Sequence, residues 1–371
     1  MPGSPFKKLL LMILVMATGA VLLLEFLDAR FKPKSEAMAT KLAKSAFQYH
    51  YSPLRPKVSG NAETSTETDA NERKQLKIPG EKAEAWLAKH TRNAASLLAL
   101  FRRGGGKNYL YEAATNFPGD PQVQLAVLTS DAFPDERRKW LEAFKASSPG
   151  NSLANYLSAA DYFKNGSPDD AMQELLAASG KTELQNYAME ALLNGEELWT
   201  DAGKSARETA SFAMSDMAEE NMPQLSSYKV VARGIGDLLK QKLAAGHTES
   251  AVNLAQLGLD LAGKINSGDS GKFLINQLVG IAVEQSSLSQ LNQNTAYDFL
   301  GAQTPVQAAE ELKRQKAEFS KLIQDFGPAQ MQMIMSDSET ASYMQRLKIY
   351  GELEAMRWLI QQHPPAATPR P

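Results

Sequence analysis

The chain has 371 residues, 43% hydrophobic and 22% charged, with 40 Lys and Arg against 42 Asp and Glu, enough for two domains and a sizeable core. A net charge of −2 with no dense Lys/Arg-plus-aromatic region argues against a nucleic-acid partner. The lack of cysteine rules out disulfides, thiolate metal sites and thiol nucleophiles, and the four histidines, His50, His90, His247 and His363, are too scattered to form a metal pair, so neither a metal nor a cofactor is expected.

Residues 1–8 form a short N-terminal tail carrying Lys7 and Lys8. The segment Leu9–Leu27, LLLMILVMATGAVLLLEFL, follows as a nearly unbroken apolar run. As a helix its nineteen residues reach about 28 Å, close to the thickness of a bilayer's hydrocarbon core. Two readings compete. In one the run is an uncut transmembrane signal anchor. In the other, Thr18-Gly19-Ala20 marks the cleavage site of a signal peptide. Cleavage after Ala20 would leave VLLLEFL as an exposed apolar start, which favours the anchor. Lys7 and Lys8 favour a cytoplasmic N-terminus, while Arg30, Lys32 and Lys34 oppose it. A single-pass protein with most of the chain outside the cytoplasm is expected, with the flipped topology as the alternative.

Residues 28–51 are expected to continue as a juxtamembrane helix, with Met38, Leu42 and Phe47 on one stripe. Lys41, Lys44, Tyr49 and Tyr51 fit either a membrane surface or a helix end docked on the domain. Residues 52–79 hold few large apolar side chains and read as a disordered linker with a mean span of about 30 Å.

From residue 80 the chain repeats itself. NFPGDPQVQLAVL at Asn116–Leu128 parallels SSPGNSLANYL at Ser147–Leu157, with Pro118-Gly119 and Pro149-Gly150 31 residues apart. Pro79-Gly80 precedes another helical stretch. Spacings of roughly 30–40 residues between helix-pair boundaries predict an array of helical hairpins. Between Pro149 and Ser179, Asn151 or Ser152 caps one helix, Gly166-Ser167-Pro168 turns the chain, and Pro168 opens the second helix. Ala159 and Ala171 are small enough for the two helices to approach closely, and Tyr162 and Leu175 fill the space beside them.

The spacing of Ala159, Tyr162, Gly166, Ala171, Leu175 and Ala178 resembles the tetratricopeptide repeat (TPR). Gly246 and Ala251 keep the interval of Gly166 and Ala171, with Lys242 at the aromatic position. The usual Trp and Leu-Gly pair of that family are missing from the Pro149 repeat. The resemblance implies an all-α helical-hairpin solenoid over residues 80–180 whose first helices line a concave face for a protein or peptide partner. On this chain Leu153, Tyr156, Ala160, Phe163 and Lys164 would line it. Tyr156 and Ala160 stand where the family's carboxylate clamp carries Lys and Asn, so that clamp is not expected. Packing of Tyr156 and Phe163 on a neighbouring repeat is the competing reading.

Residues 181–363 read as a further helical domain, with Pro223, Pro305 and Pro328 at helix starts and Gly195, Gly203, Gly246 and Gly301 between runs. Thr304 caps the helix that Pro305 opens. Candidate chemistry is sparse. RRGGGKNY at Arg102–Tyr109 is basic and glycine-rich but lacks the frame of a phosphate loop, and reads as an interhelical turn. RGIGD at Arg233–Asp237 reads as a close helix contact, and MQMIM at Met331–Met335 as core. Glu219 and Glu220 point about 100° apart on a helix and make no acid/base dyad. Residues 364–371 form a Pro-rich tail expected to be disordered. The sequence therefore predicts a non-catalytic, membrane-anchored scaffold for protein–protein interaction. The alternatives are a cleaved, exported soluble binding module, and an enzyme with its site in the C-terminal helices.

Overall fold

The computed structural model describes residues 78–130, 132–333 and 336–364, all within one compact unit, Ile78–Pro371. The apolar run Leu9–Leu27, the juxtamembrane segment, the linker up to residue 77 and the tail beyond Pro364 lie outside the described residues. Among those residues, fourteen α-helices and no named strand make an all-α fold. None of these helices is long and apolar enough to cross a membrane.

The chain begins with α1 (Gly80–Lys89) and α2 (Ala94–Leu100), the latter running into a π-helical turn, Phe101–Gly105. Then come α3 (Lys107–Asn116), α4 (Pro121–Ser130), α5 (Arg137–Ser147), α6 (Leu153–Lys164) and α7 (Pro168–Ser179). Each of α2 to α6 packs against the next, as hairpins in chain order do. The α6–α7 hairpin is built as its spacing predicts, except that Tyr162 is only half-buried, with the Arg138 guanidinium over its ring at 4.4 Å. Ala159, Ala171 and Ala178 are wholly buried, and Leu175 is 1% exposed. Gly166 turns the chain with φ +73°, a conformation that side chains with a Cβ rarely adopt. Pro168 takes the first helical position, where its missing N–H costs nothing.

After an extended segment, α8 (Ala188–Asp201) leads to α9 (Ala206–Ala244), 39 residues and about 58 Å long. A capping box starts α9: Ser205 Oγ accepts from the Glu208 N–H, and Glu208 Oε2 accepts from the Ser205 N–H at 3.1 Å. The chain continues through α10 (Thr248–Ile265), α11 (Leu274–Leu288), α12 (Pro305–Met333), α13 (Asp337–Tyr350) and α14 (Glu352–Gln362).

Helix α9 is the spine. It packs against α4 and α6 on the hairpin side and against α8, α10, α11 and α13 on the other. Residues 80–180 and 181–363 therefore share one core and are not separate domains. Small residues set the closest approaches. A Cβ on Gly195 of α8 would stand 3.2 Å from Ala213 Cα of α9, and one on Gly258 of α10 would meet Ser287 of α11. Pro305 opens α12 as expected, but Pro223 and Pro328 lie inside α9 and α12. Each forgoes one helical hydrogen bond, and burial along the rest of α9 outweighs that local loss.

Candidate interaction site

The face of α6 expected to receive a partner is occupied by the protein itself. Leu153 and Ala160 are wholly buried and Tyr156 is 1% exposed. The Tyr156 hydroxyl donates to Asp260 Oδ2 of α10 at 3.0 Å, and its ring meets Tyr228 of α9 edge to face, with centroids 6.5 Å apart. Burial first, and the Asp260 carboxylate second, push the Tyr156 hydroxyl far above its ordinary pKa. Phe163 is half-buried over Gly234 of α9, where a Cβ would fall 2.6 Å from the ring. Lys164 stands exposed at the helix end. The structure thus corrects the expectation for Leu153, Tyr156 and Ala160, which serve the core. The reason is tertiary: α9 and α10, far away in sequence, supply the covering surface that a peptide would otherwise offer. RGIG is the close helix contact that its glycines predict.

Lys264 of α10 extends this contact. Its ammonium pairs with Asp260 at 2.7 Å and donates to the Ala178 carbonyl at 2.8 Å. A cation is thereby placed on the C-terminal carbonyls of α7, where the helix dipole favours it.

The two arginines of the basic RRGGGK stretch turn inward, while its Lys107 is exposed. In the π-helical turn, Arg102 and Arg103 face the middle of α9. Arg102 Nε donates to Glu220 Oε2 at 2.8 Å, with the two side chains only 3% and 4% exposed. Arg103 pairs with Asp216, approaches Glu219 at 3.7 Å, and lies over the Trp199 ring at 5.9 Å. Burial lowers the pKa of Arg103, against the raising effect of Glu219. Adjacent arginines thus meet carboxylates one helical turn apart, and the pair forms an internal ion-pair seam.

Beside it lies a buried amide relay. Asn186 Nδ2 donates to Asn221 Oδ1 at 3.2 Å, Asn221 Nδ2 to Asn276 Oδ1 at 2.7 Å, and Asn276 Nδ2 to the Ser270 carbonyl at 2.8 Å. Gln224 Nε2 donates to the Asn186 carbonyl at 3.0 Å. These side chains tie the starts of α8 and α11 to the centre of α9, near Pro223. Periodicity alone gave no sign of this network, because isolated Asn and Gln on a helix usually face water.

On the outside, single apolar side chains project: Leu176 of α7 at 59% exposure, Leu193 of α8 at 45%, and Ile349 and Tyr350 at the end of α13. Leu193, Asn194, Glu196, Glu197, Thr200 and Asp201 line a shallow depression of about 420 Å³. Its carboxylates have partners: Glu196 binds Lys348 at 2.6 Å, and Asp201 binds Lys89 at 2.7 Å and His90 at 2.8 Å. His363 pairs with Glu339 at 2.8 Å. Among the described residues no group of His, Asp and Glu has the arrangement of a metal site. The Met331–Met335 run falls partly outside the described residues, and its Met333 is buried.

Compared with known proteins, the chain matches no family model, no curated protein and no solved structure.

Proposed function

We propose that this chain is a non-catalytic scaffold of tetratricopeptide-like helical hairpins that holds a partner protein beside a membrane, anchored by Leu9–Leu27. The observation that carries the reading is the run of hairpins from α2 to α7. Its α6–α7 pair buries Ala159, Ala171, Leu175 and Ala178 and turns at Gly166. Helices so stacked present a long, rigid, repetitive surface, which suits recognition of an extended or helical segment. Because α9 lies along α6, the partner surface in this reading is the outward side of the hairpins, where Leu176 on α7 is exposed. The Arg102–Glu220 contact supports it by fixing the hairpins to the α9 spine.

The test places a photo-crosslinking residue at Leu176 in the full chain within its native membrane. A discrete crosslinked protein, lost when the probe moves to Val306 on α12, is the expected result. Failure to crosslink from the outward positions of α3, α5 and α7 would remove the scaffold reading. Deleting Met1–Leu27 should move the protein to the soluble fraction. A truncated chain that still pellets and resists alkaline extraction refutes the anchor.

A further inference from the structure

The described chain enters the fold through α1, a ten-residue helix held by a small apolar contact and by ion pairs near the surface. Its apolar contribution is three side chains, Ala83, Trp86 and Leu87, and its main packing partner is α2. At its C-terminal end, Lys89 and His90 reach across to α8. Lys89 Nζ lies 2.7 Å from Asp201 Oδ2, and His90 Nε2 lies 2.8 Å from the same oxygen. His90 Nδ1 is 3.4 Å from Glu197, and the ring stacks on Trp86 with centroids 4.4 Å apart. The Lys89 and His90 hydrogen bonds hold the Asp201 carboxyl below its ordinary pKa. Arg92 adds a second tie, bonding Glu84 at 2.6 Å and Glu112 of α3 at 2.5 Å.

The turn that closes α1 works against these ties. The Arg92 N–H donates to the Leu87 carbonyl at 2.9 Å, the bond that ends a helix with a left-handed residue at the following position. Glycine usually fills that position. Here it is Thr91, β-branched, at φ +60°, followed by Arg92 at φ +46°. Two successive left-handed residues without glycine are unfavourable for L-amino acids.

We propose that α1 is a releasable strap, clasped to α8 by Lys89 and His90 on Asp201 and Glu197 and loosened by the left-handed Thr91–Arg92 turn, which opens while the rest of the fold stays intact. Opening frees Asp201 and Glu197, both of which line the depression around Leu193. The clasp is partly exposed, so salt screens it more than it screens the buried contacts of α9. The strap does not depend on a partner docking on the hairpins.

Hydrogen exchange of the full chain, read by mass spectrometry, tests it. Amides of residues 80–92 should exchange at least about tenfold faster than those of residues 224–239 in α9, as a sub-global opening does, and faster still at high salt. Asp201→Asn should speed exchange in 80–92 by about fivefold to tenfold and leave α9 unchanged. Thr91→Gly should slow it several-fold, because glycine relieves the left-handed strain. The proposal is overturned if 80–92 exchanges no faster than α9, if Asp201→Asn alters both regions equally, or if Thr91→Gly fails to slow α1.

Discussion

Replacing Arg102 by Met tests whether the π-helical turn is fastened to α9 by a buried charge pair. Arg102 and Glu220 are 118 residues apart in sequence and 2.8 Å apart in the fold, with side chains 3% and 4% exposed. Removing the guanidinium strands the Glu220 carboxylate in a site that water does not reach. Losing one member of such a pair costs about 3–5 kcal/mol. At roughly 2 °C per kcal/mol for a fold of this size, the unfolding temperature should drop by roughly 6–10 °C. The double change Arg102→Met with Glu220→Met removes both charges and leaves apolar chains of similar reach. It should recover most of the loss, to within about 1–2 kcal/mol of the parent, because the pair's mutual attraction mainly offsets its own desolvation. Denaturant unfolding followed by far-ultraviolet circular dichroism on the parent, both single variants and the double variant gives the coupling energy directly. A single variant within about 1 kcal/mol of the parent, or a double variant as unstable as the sum of the singles, refutes the reasoning.

Other consequences are as specific. Ala171→Leu forces three extra carbons into the wholly buried contact between α6 and α7 and should cost about 1–3 kcal/mol; unchanged thermal stability would mean that the hairpin does not pack there. Lys264→Met leaves the Ala178 carbonyl and Asp260 without their cation, and because Asp260 stays partly hydrated the loss in denaturant unfolding should be about 1–3 kcal/mol. Burial raises the carboxyl pKa of Glu190, Glu284 and Glu352 above 4.5. In the window above that value the native state binds more protons than the unfolded chain, so stability falls as pH rises through it. The unfolding temperature should be higher near the lower end of the window than at neutral pH, and Glu352→Gln should reduce the difference. A transition that does not move with pH would refute the sign.

The sequence by itself determined the local architecture of this protein. The Pro-Gly breaks, the small residues at Ala159 and Ala171 and the turn at Gly166 specify a hairpin through short-range geometry: a missing N–H, a missing Cβ, an interval of helical turns. Thr304 likewise signals the start of α12, and its Oγ1 accepts from the Gln307 N–H. What tertiary structure alone decided is which surface each face meets. Tyr156 and Phe163 carry the same helical stripe whether a peptide or the protein's own α9 covers it, and only the fold brings Tyr228, Gly234 and Asp260 to that face. Arg102 and Arg103 look like a solvated basic turn until Asp216 and Glu220 arrive from more than a hundred residues away. Pro223 and Pro328 look like helix starts because proline opposes a helix locally, yet burial along α9 and α12 carries both helices through them. Propensity acts within a few residues, whereas burial and charge pairing act between elements distant in sequence. The hairpin is therefore written in the sequence, and the covering of its inner face is not.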